Sequence, residues 1–200
     1  MDELIVRISD ANNIEEQEYL NSSFLSERDK EEIQKMKAMT IRKEKIISSY
    51  FKRKYVGDYY FNNKGKPLSD NTFFNISHSH GMVAFVKNSK YNIGIDIEKI
   101  DYVSLKMRRY ITTDEEYSFI KTEEDFYDVW TNKESLVKTL GTGIVTPMRD
   151  IPGLPINNRR DYLGQIFYSQ TIRHNGFVIT VTMQTENPFL VKIVNEQLPL

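Results

Sequence analysis

Two stretches of the chain, offset by about 90 residues, resemble each other. The segment Leu4-Ile-Val-Arg7-Ile-Ser9 lines up with Ile93-Gly-Ile-Asp96-Ile-Glu98, and Arg42-Lys43-Glu44 lines up with Asn132-Lys133-Glu134. Each match is short, but a shared offset is difficult to obtain by chance and indicates an internal repeat. The repeat predicts an α+β fold built as a pseudo-twofold pair of similar subdomains. We place them at residues 1–90 and 91–200, with the functional site in the cleft between them.

The composition indicates a globular protein and excludes several classes of site. Two hundred residues are enough for a sizeable core, and 40% of them are hydrophobic. The absence of cysteine excludes disulfides, thiol nucleophiles and thiolate metal sites. No apolar run approaches membrane-spanning length, and Asp2 and Glu3 at the start are unlike a signal peptide. We therefore expect a soluble, cytoplasmic protein without a membrane partner.

Charge is distributed unevenly although the net charge is only −1. Residues 34–55 carry eight lysines and arginines and one acid, whereas residues 112–128 carry seven acids and one lysine. A basic segment can bind a phosphorylated small molecule, or it can simply be a solvated helix face. Nucleic acid is not an expected partner, because the isoelectric point is about 6.3 and no nucleic-acid-binding motif is present.

The segment Ile93–Glu98 has the pattern of a buried strand, because isoleucines alternate with Gly94, Asp96 and Glu98. Asp96 and Glu98 therefore lie on one face, roughly 7 Å apart along the strand. Two neighbouring buried carboxylates are unfavourable without a cation, and oxygen ligands favour Mg²⁺ or Mn²⁺ over zinc. The alternative is an edge strand whose polar face is solvated.

A second polar cluster follows about 30 residues later, in the segment Trp130–Gly143. The spacing of its apolar residues predicts a helix that ends at Gly141. Glu134 and Lys138 are four residues apart and share one helix face, which alone would be typical of a solvated ion pair. Placed against the Asp96/Glu98 strand, they add a third carboxylate and an ammonium group. Together, these groups could hold Mg²⁺ on a phosphate or pyrophosphate.

These residues resemble the motifs of a known family, the 4′-phosphopantetheinyl transferases of the Sfp type. The matching segments are Gly94-Ile-Asp96-Ile-Glu98 and Trp130-x-x-Lys133-Glu134-Ser-x-x-Lys138-x-x-Gly-x-Gly. Upstream, Gly65-Lys66-Pro67 and Phe74-Asn-Ile-Ser77-His78-Ser79 match the two remaining motifs in the right order. The resemblance extends from about residue 24 to about residue 145. It implies the pseudo-twofold architecture and the double-length monomeric type, because about 90 residues precede the Gly-x-Asp motif.

The resemblance also implies an activity and a set of catalytic residues. Enzymes of this family transfer the phosphopantetheine arm of coenzyme A to a serine of an acyl or peptidyl carrier protein, and 3′,5′-ADP is released. By resemblance, Asp96, Glu98 and Glu134 would hold Mg²⁺, and Lys138 would contact the phosphate under attack. Glu134, or a water that it orients, is the candidate base, ranked above Asp96. The carriers served by such enzymes belong to fatty acid, polyketide or nonribosomal peptide biosynthesis.

Coenzyme A is the co-substrate that the resemblance implies. In the family, the histidine of the Ser-His motif contacts the 3′-phosphate and the Gly-Lys-Pro lysine lies near the adenine nucleotide. The predicted coenzyme A-binding residues are Lys45, Lys66, Ser77, His78, Lys133 and Lys138. A satisfied turn histidine is the structural alternative for His78, and a solvated loop lysine is the alternative for Lys66. Trp130 is expected to belong to the core.

The segment Lys106–Ile111 mixes cations with apolar residues, including Arg108, Arg109 and Tyr110. Because carrier proteins are acidic and present an amphipathic helix, we expect the carrier to dock here. The alternative is an ordinary loop that packs Met107 and Tyr110 inward.

Two other functions are compatible with the same residues. One is a Mg²⁺-dependent phosphohydrolase or nuclease that uses the same carboxylates, and the other is a non-catalytic nucleotide-binding module. A hydrolase would release phosphopantetheine without a carrier, and a binding module would turn over nothing. The repeat places Arg7 and Ser9 opposite Asp96 and Glu98, so we expect no metal site in the first half. Glu44, opposite Glu134, would then have no neighbouring ligands.

Overall fold

The computed structural model describes residues 2–23, 25–63, 65–143 and 146–199; the ends of the resemblance, at about 24 and 145, lie outside these ranges. The strands are β1 (Asp2–Asp10), β2 (Tyr60–Phe61), β3 (Pro67–Leu68), β4 (Phe73–Ser79), β5 (Met82–Asn88), β6 (Ile93–Lys99), β7 (Arg159–Tyr162), β8 (Gln165–His174), β9 (Phe177–Met183) and β10 (Phe189–Asn195). The helices are α1 (Glu16–Asn21), α2 (Glu27–Gln34), α3 (Met39–Tyr55), α4 (Leu105–Ile111), α5 (Asp114–Phe119) and α6 (Glu123–Leu140). The predicted α+β class is confirmed.

The strands form two four-stranded sheets and a short hairpin. The first sheet has the order β10-β1-β5-β4, and the second has the order β6-β9-β8-β7. The second sheet is antiparallel throughout, whereas β10 runs parallel to β1 in the first sheet. The last strand of the chain therefore lies in the sheet that contains the first strand, and it links the two ends of the sequence.

An apolar cluster joins the two sheets. Alternate residues of β1 and β6 meet in this cluster, where Ile93, Ile95 and Ile97 are at most 1% exposed. Burying each isoleucine contributes about 1.5–3 kcal/mol relative to leaving it in water. Because side chains alternate along a strand, this burial turns Gly94, Asp96 and Glu98 to the opposite face of β6.

Helix α3 covers the first sheet through apolar packing. Its residues Ile46, Ile47, Tyr50 and Phe51 are at most 1% exposed and pack against β4 and β5. The Phe51 ring stacks on the Phe85 ring, with 5.5 Å between the ring centroids. The non-directional hydrophobic effect therefore supplies most of this contact.

Helix α6 covers the second sheet through a layer of buried hydroxyl groups. Thr131 Oγ1 lies 2.7 Å from Thr180 Oγ1, and Ser135 Oγ lies 2.7 Å from Thr182 Oγ1. These four side chains are completely buried. Gly94 permits the close approach, because a Cβ atom there would lie 2.2 Å from the Ser135 carbonyl oxygen. The Gly-x-Asp motif thus lets β6 and α6 come together.

Side chains of β4 bind the free edge of β6. The backbone N–H groups of Ile95, Ile97 and Lys99 donate to side-chain oxygens on β4 at 2.9, 3.4 and 3.3 Å. The acceptors alternate along β4; they are Asn75, Ser77 and Ser79. A β4 side chain at each second position therefore satisfies an edge donor that would otherwise be unpaired. This pairing brings the Phe74–Ser79 and Gly94–Glu98 motifs together.

The predicted strand Ile93–Glu98 and the predicted helix that ends at Gly141 are confirmed, but the carrier segment differs from the loop alternative. Lys106–Ile111 lies in helix α4, which begins after Ser104, whose side chain accepts a bond from the Met107 backbone N–H. Tyr110 is 79% exposed and does not pack inward. Over the described ranges, no helix is long and apolar enough to cross a membrane.

Candidate active-site cleft

A cavity of about 300 Å³ opens between residues 65–76 and residues 134–143. It is bounded by the turn before β3, by β4 and by the C-terminal part of α6. Its lining residues are Gly65, Lys66, Pro67, Asn75, Ile76, Glu134, Val137, Lys138, Gly141 and Gly143. Residues of three of the four motifs line the cavity, and the fourth, which carries Asp96, lies beside it through hydrogen bonds to Ser77 and Lys138.

Asp96 is the most deeply buried acid of the cleft, at 2% exposed. Its Oδ1 accepts hydrogen bonds from Ser77 Oγ at 2.9 Å and from Lys138 Nζ at 2.6 Å. Burial raises the pKa of Asp96, against the opposing effect of the Lys138 charge. Its Oδ2 is buried and has no hydrogen-bond partner among the described residues. One oxygen of this carboxylate therefore remains available to a ligand.

The negative charge of Asp96 affects the pKa values of Glu98 and Glu134. Burial raises the pKa of Glu98, and the negative charge of Asp96 raises it further. Burial, Asp96 and then Glu98 raise the pKa of Glu134, which Lys138 opposes. Glu98 Oε2 accepts a hydrogen bond from Ser79 Oγ at 2.8 Å. Asp96 thus repels both glutamates, and Glu98 also repels Glu134, whose side chain lines the cleft.

The donor set fits a hard divalent cation in its chemistry. Carboxylate oxygens are the preferred ligands of Mg²⁺, and a cation would relieve the repulsion among the three acids. The unpartnered Oδ2 of Asp96 offers a free ligand atom. In the part of the chain that is described, no three acidic or histidine side chains already stand close enough together to bind a metal. Lys138 supplies the positive charge beside Asp96 instead.

Lys66 and Lys138 both line the cleft and contact each other there. Lys66 Nζ donates to the Lys138 carbonyl oxygen at 2.6 Å, close to the C-terminal end of α6. A cation is favourable there because the helix dipole is negative at that end. Burial lowers the pKa of Lys66. Gly141, in the left-handed conformation with φ 68°, ends α6 beside the Lys66 side chain, as the sequence predicted.

Two of the predicted coenzyme A-binding lysines lie elsewhere. Lys133 is completely buried, and its Nζ contacts Glu116 Oε2 at 2.7 Å and two backbone carbonyls of residues 148 and 151. Lys133 therefore fastens α6 to the segment that follows it and does not face the cleft. Lys45 Nζ pairs with Glu32 Oε2 at 2.8 Å on the neighbouring helix α2.

His78 has a partner that sequence reasoning missed. Its side chain is 56% exposed, and Nδ1 lies 3.1 Å from Glu44 Oε2. Glu44 is buried, and its Oε1 accepts a hydrogen bond from the Gly81 backbone N–H at 2.8 Å. The alignment of Glu44 with Glu134 in the repeat was the signal that could have drawn attention to it. Trp130 packs, partly buried, against the core as expected, but sequence reasoning missed the hydrogen bond of its side chain to Glu98.

Part of the chain is similar to known proteins of one family. Residues 92–182 match the family model of the 4′-phosphopantetheinyl transferase superfamily. The chain is 34% identical over 94 residues to the 4′-phosphopantetheinyl transferase gsp of Aneurinibacillus migulanus, covering 44% of this chain and 39% of that protein. It is 37% identical over 81 residues to the 4′-phosphopantetheinyl transferase Sfp of Bacillus subtilis, covering 38% and 36%.

A third relative agrees with these two. The 4′-phosphopantetheinyl transferase ffp of Bacillus subtilis is 39% identical over 93 residues, covering 42% of this chain and 41% of that protein. The alignments thus span about two fifths of the length of these curated relatives. They confirm the family resemblance that the motifs predicted.

Proposed function

Starting from the match of residues 92–182 to the 4′-phosphopantetheinyl transferase superfamily, we propose that this chain is such a transferase. Its reaction would move the phosphopantetheine arm of coenzyme A to a serine of an acyl or peptidyl carrier protein. The observation that carries the proposal is that three of the four motifs line one cleft and the fourth lies beside it. We take the two similar halves that flank this cleft as residues 1–90 and 91–200. We further propose that the protein acts as a cytoplasmic monomer.

Asp96, Glu98 and Glu134 are the proposed ligands of Mg²⁺ or Mn²⁺. The unpartnered Oδ2 of Asp96 and the raised pKa values of all three carboxyl groups support this choice. When bound, the metal would neutralise the pyrophosphate of coenzyme A. The serines of β4 keep the Asp96 and Glu98 side chains oriented, since each donates a hydrogen bond to one carboxylate.

Glu134 is the proposed base, directly or through one water. Its raised pKa brings its proton affinity closer to that of a base operating near neutral pH. It would accept the proton of the carrier serine as the serine oxygen bonds to phosphorus. The phosphoanhydride bond to the nucleotide then breaks, and 3′,5′-ADP leaves. Lys138 would contact the phosphate under attack, because its ammonium group already lies within the cleft.

His78 and Lys66 are the proposed contacts of the nucleotide part of coenzyme A. The exposed imidazole would bind the 3′-phosphate, and Lys66 would lie near the adenine nucleotide. Ser77 acts behind them by bonding Asp96 and Lys138. Lys45 and Lys133 are left out of this proposal, because their ammonium groups pair with Glu32 and Glu116.

The carrier would dock on the groove beside α4. This groove has a volume of about 770 Å³, and its lining includes Lys106, Met107, Arg109, Tyr110 and Arg149. Exposed apolar groups surrounded by cations fit an acidic amphipathic helix. Arg108 does not line the groove, because its guanidinium pairs with Glu123 and only 12% of its side chain is exposed. We therefore assign docking to Lys106, Arg109 and Tyr110.

Mass spectrometry of a carrier protein tests the proposed function. Apo-carriers from fatty acid, polyketide and nonribosomal peptide systems are each incubated with the protein, coenzyme A and Mg²⁺. The proposal predicts that at least one carrier gains the mass of one phosphopantetheine group, and that its serine-to-alanine variant gains none. Release of free phosphopantetheine without a carrier would instead identify a phosphohydrolase. Binding of coenzyme A without any turnover would identify a nucleotide-binding module.

A further inference from the structure

We propose that Glu44 is a positioning residue that holds His78 for recognition of the 3′-phosphate of coenzyme A. This inference rests on the proposed function and deepens it. It assigns a role to the first half of the repeat, in which sequence analysis expected Glu44 to have no neighbouring ligands.

The surroundings of Glu44 support a functional pairing with His78. Only 7% of the Glu44 side chain is exposed, and an isolated buried carboxylate is strongly unfavourable. Its Oε1 is satisfied by the Gly81 backbone N–H at 2.8 Å. Within the described ranges, the sole ion pair of its other oxygen is with His78 Nδ1, at 3.1 Å. The carboxylate therefore holds the Nδ1 edge of the imidazole in place.

The position of His78 on β4 explains why its ring needs such support. Ser77 and Ser79 point to the acids of β6, so the strand alternation turns His78 to the other face. More than half of its side chain is exposed, and an exposed side chain otherwise exchanges rotamers freely. With Nδ1 next to Glu44, the Nε2 edge of the ring is the part that can donate to an anion.

Glu44 also fixes the turn that follows His78. His80 and Gly81 have φ values of 50° and 86°, which form the tight connection between β4 and β5. The bond from the Gly81 N–H to Glu44 ties this turn to α3. One carboxylate thus holds both the imidazole and the backbone beside it. A phosphate monoester, which carries its negative charges on terminal oxygens, can accept the hydrogen bond that the Nε2 edge would donate.

The substitution Glu44→Gln tests the pairing with little change in shape. The glutamine oxygen can still accept from the Gly81 N–H, but the negative charge beside His78 is lost. Calorimetry then compares adenosine 3′,5′-bisphosphate with adenosine 5′-phosphate. We expect affinity for the bisphosphate to fall on the order of tenfold, as when a charge-assisted hydrogen bond is weakened, with little change for the monophosphate. An unchanged bisphosphate affinity would overturn the inference.

Glu16→Gln is the matched control. Glu16 also pairs with a residue of α3, at 2.8 Å from Arg42 Nε, and has no ion pair with His78. It should leave the affinity for both nucleotides unaltered. Equal losses in the two variants would show a general charge effect and would contradict the role of Glu44.

A double substitution separates positioning from general damage. His78→Asn should lower bisphosphate affinity by itself, and Glu44→Gln should add almost nothing in that background. Additive losses would contradict the inference. The ¹⁵N signals of the His78 ring should shift in Glu44→Gln and stay in place in Glu16→Gln. If Glu44→Gln does not fold, the same ring signals in the unchanged protein must respond to the bisphosphate and not to the monophosphate.

The two proposals fail in different ways. Normal transfer to a carrier together with unaltered binding in Glu44→Gln overturns the positioning role alone. Loss of bisphosphate selectivity in a chain that modifies no carrier overturns the transferase proposal and leaves the Glu44–His78 pair standing.

Discussion

Helices α3 and α6 occupy corresponding places on the two sheets, but different forces hold them. Isoleucine and aromatic side chains attach α3, whereas α6 is attached through buried hydroxyl groups and the close approach at Gly94. Hydrophobic contact tolerates small sliding, but hydrogen bonds between buried hydroxyls are directional. The polar interface therefore fixes the register of α6 against β6. That register sets the positions of Glu134 and Lys138 relative to Asp96.

The buried charged residues of α3 and α6 also differ in their surroundings. Each helix carries a glutamate at the same place in the repeat and one buried lysine. Glu134 lines the cleft and Lys133 has a carboxylate partner, whereas Glu44 lies beneath His78 and Lys52 lies against aromatic rings. In the proposed reaction, the second half would supply the reactive carboxylates and Lys138, and the first half would supply the supporting wall.

Exchanging the two glutamates for glutamine should give the largest difference between the halves. Glu134→Gln removes the candidate base and one metal ligand, so we expect transfer to fall roughly 10²–10⁴-fold, the range for loss of general acid–base catalysis. Glu44→Gln should raise the Michaelis constant for coenzyme A and have a smaller effect on the turnover number. Steady-state kinetics with both variants gives the comparison. Equal loss of turnover in the two variants would contradict this division of roles.

The buried lysine of α6 should be needed for stability. Lys133→Met leaves Glu116, 3% exposed, without its cationic partner and removes the hydrogen bonds that Nζ donates to two carbonyl oxygens. Removing one partner of a buried ion pair destabilises by about 3–5 kcal/mol. Urea unfolding measures the loss. The double variant Lys133→Met/Glu116→Gln should regain part of it, and a double variant that is less stable still would contradict the pairing argument.

The buried lysine of α3, Lys52, should lower the stability of the protein when it is charged, in contrast to Lys133. Burial lowers the pKa of Lys52 to about 8, and its ammonium lies 4.7 Å from the Tyr59 ring centroid. The unfolded chain keeps this proton up to about pH 10.4, so between about pH 8 and that value the unfolded state binds more protons and stability rises with pH. We expect a gain on the order of 2 kcal/mol between about pH 8 and 9.5.

Lys52→Met provides the control for this pH dependence. The variant should be at least as stable as the original protein at pH 7, and its stability should lack the rise above pH 8. Tyrosines, with an ordinary pKa of about 10, begin to ionise within this range, so urea unfolding compares the two proteins at each pH and their common contribution cancels. A rise of the same size in both proteins would assign it to other groups.

The sequence predicted the parts of this structure that depend on local patterns. The alternation in β6 and the glycine that ends α6 both appeared where expected. The burial of Lys133 could not be predicted, because its partners are Glu116 and carbonyls of a later loop that only the tertiary structure brings close. For the same reason, the pairing of β10 with β1 could not be predicted.

Surface charge at the proposed docking groove should have the smallest effect, and it should be confined to the second half. Lys106→Glu with Arg109→Glu reverses two charges beside the groove, so we expect the Michaelis constant for an acidic carrier to rise roughly fivefold at low salt. The difference should shrink at physiological salt, where charges are screened over about 8 Å. Lys35→Glu with Lys37→Glu makes the same charge change on exposed residues of the first half and should leave the carrier dependence unaltered. Arg108→Glu should mainly lower stability, because it would face Glu123. Equal effects of the two double variants would move the docking site away from α4 and would remove this asymmetry between the halves.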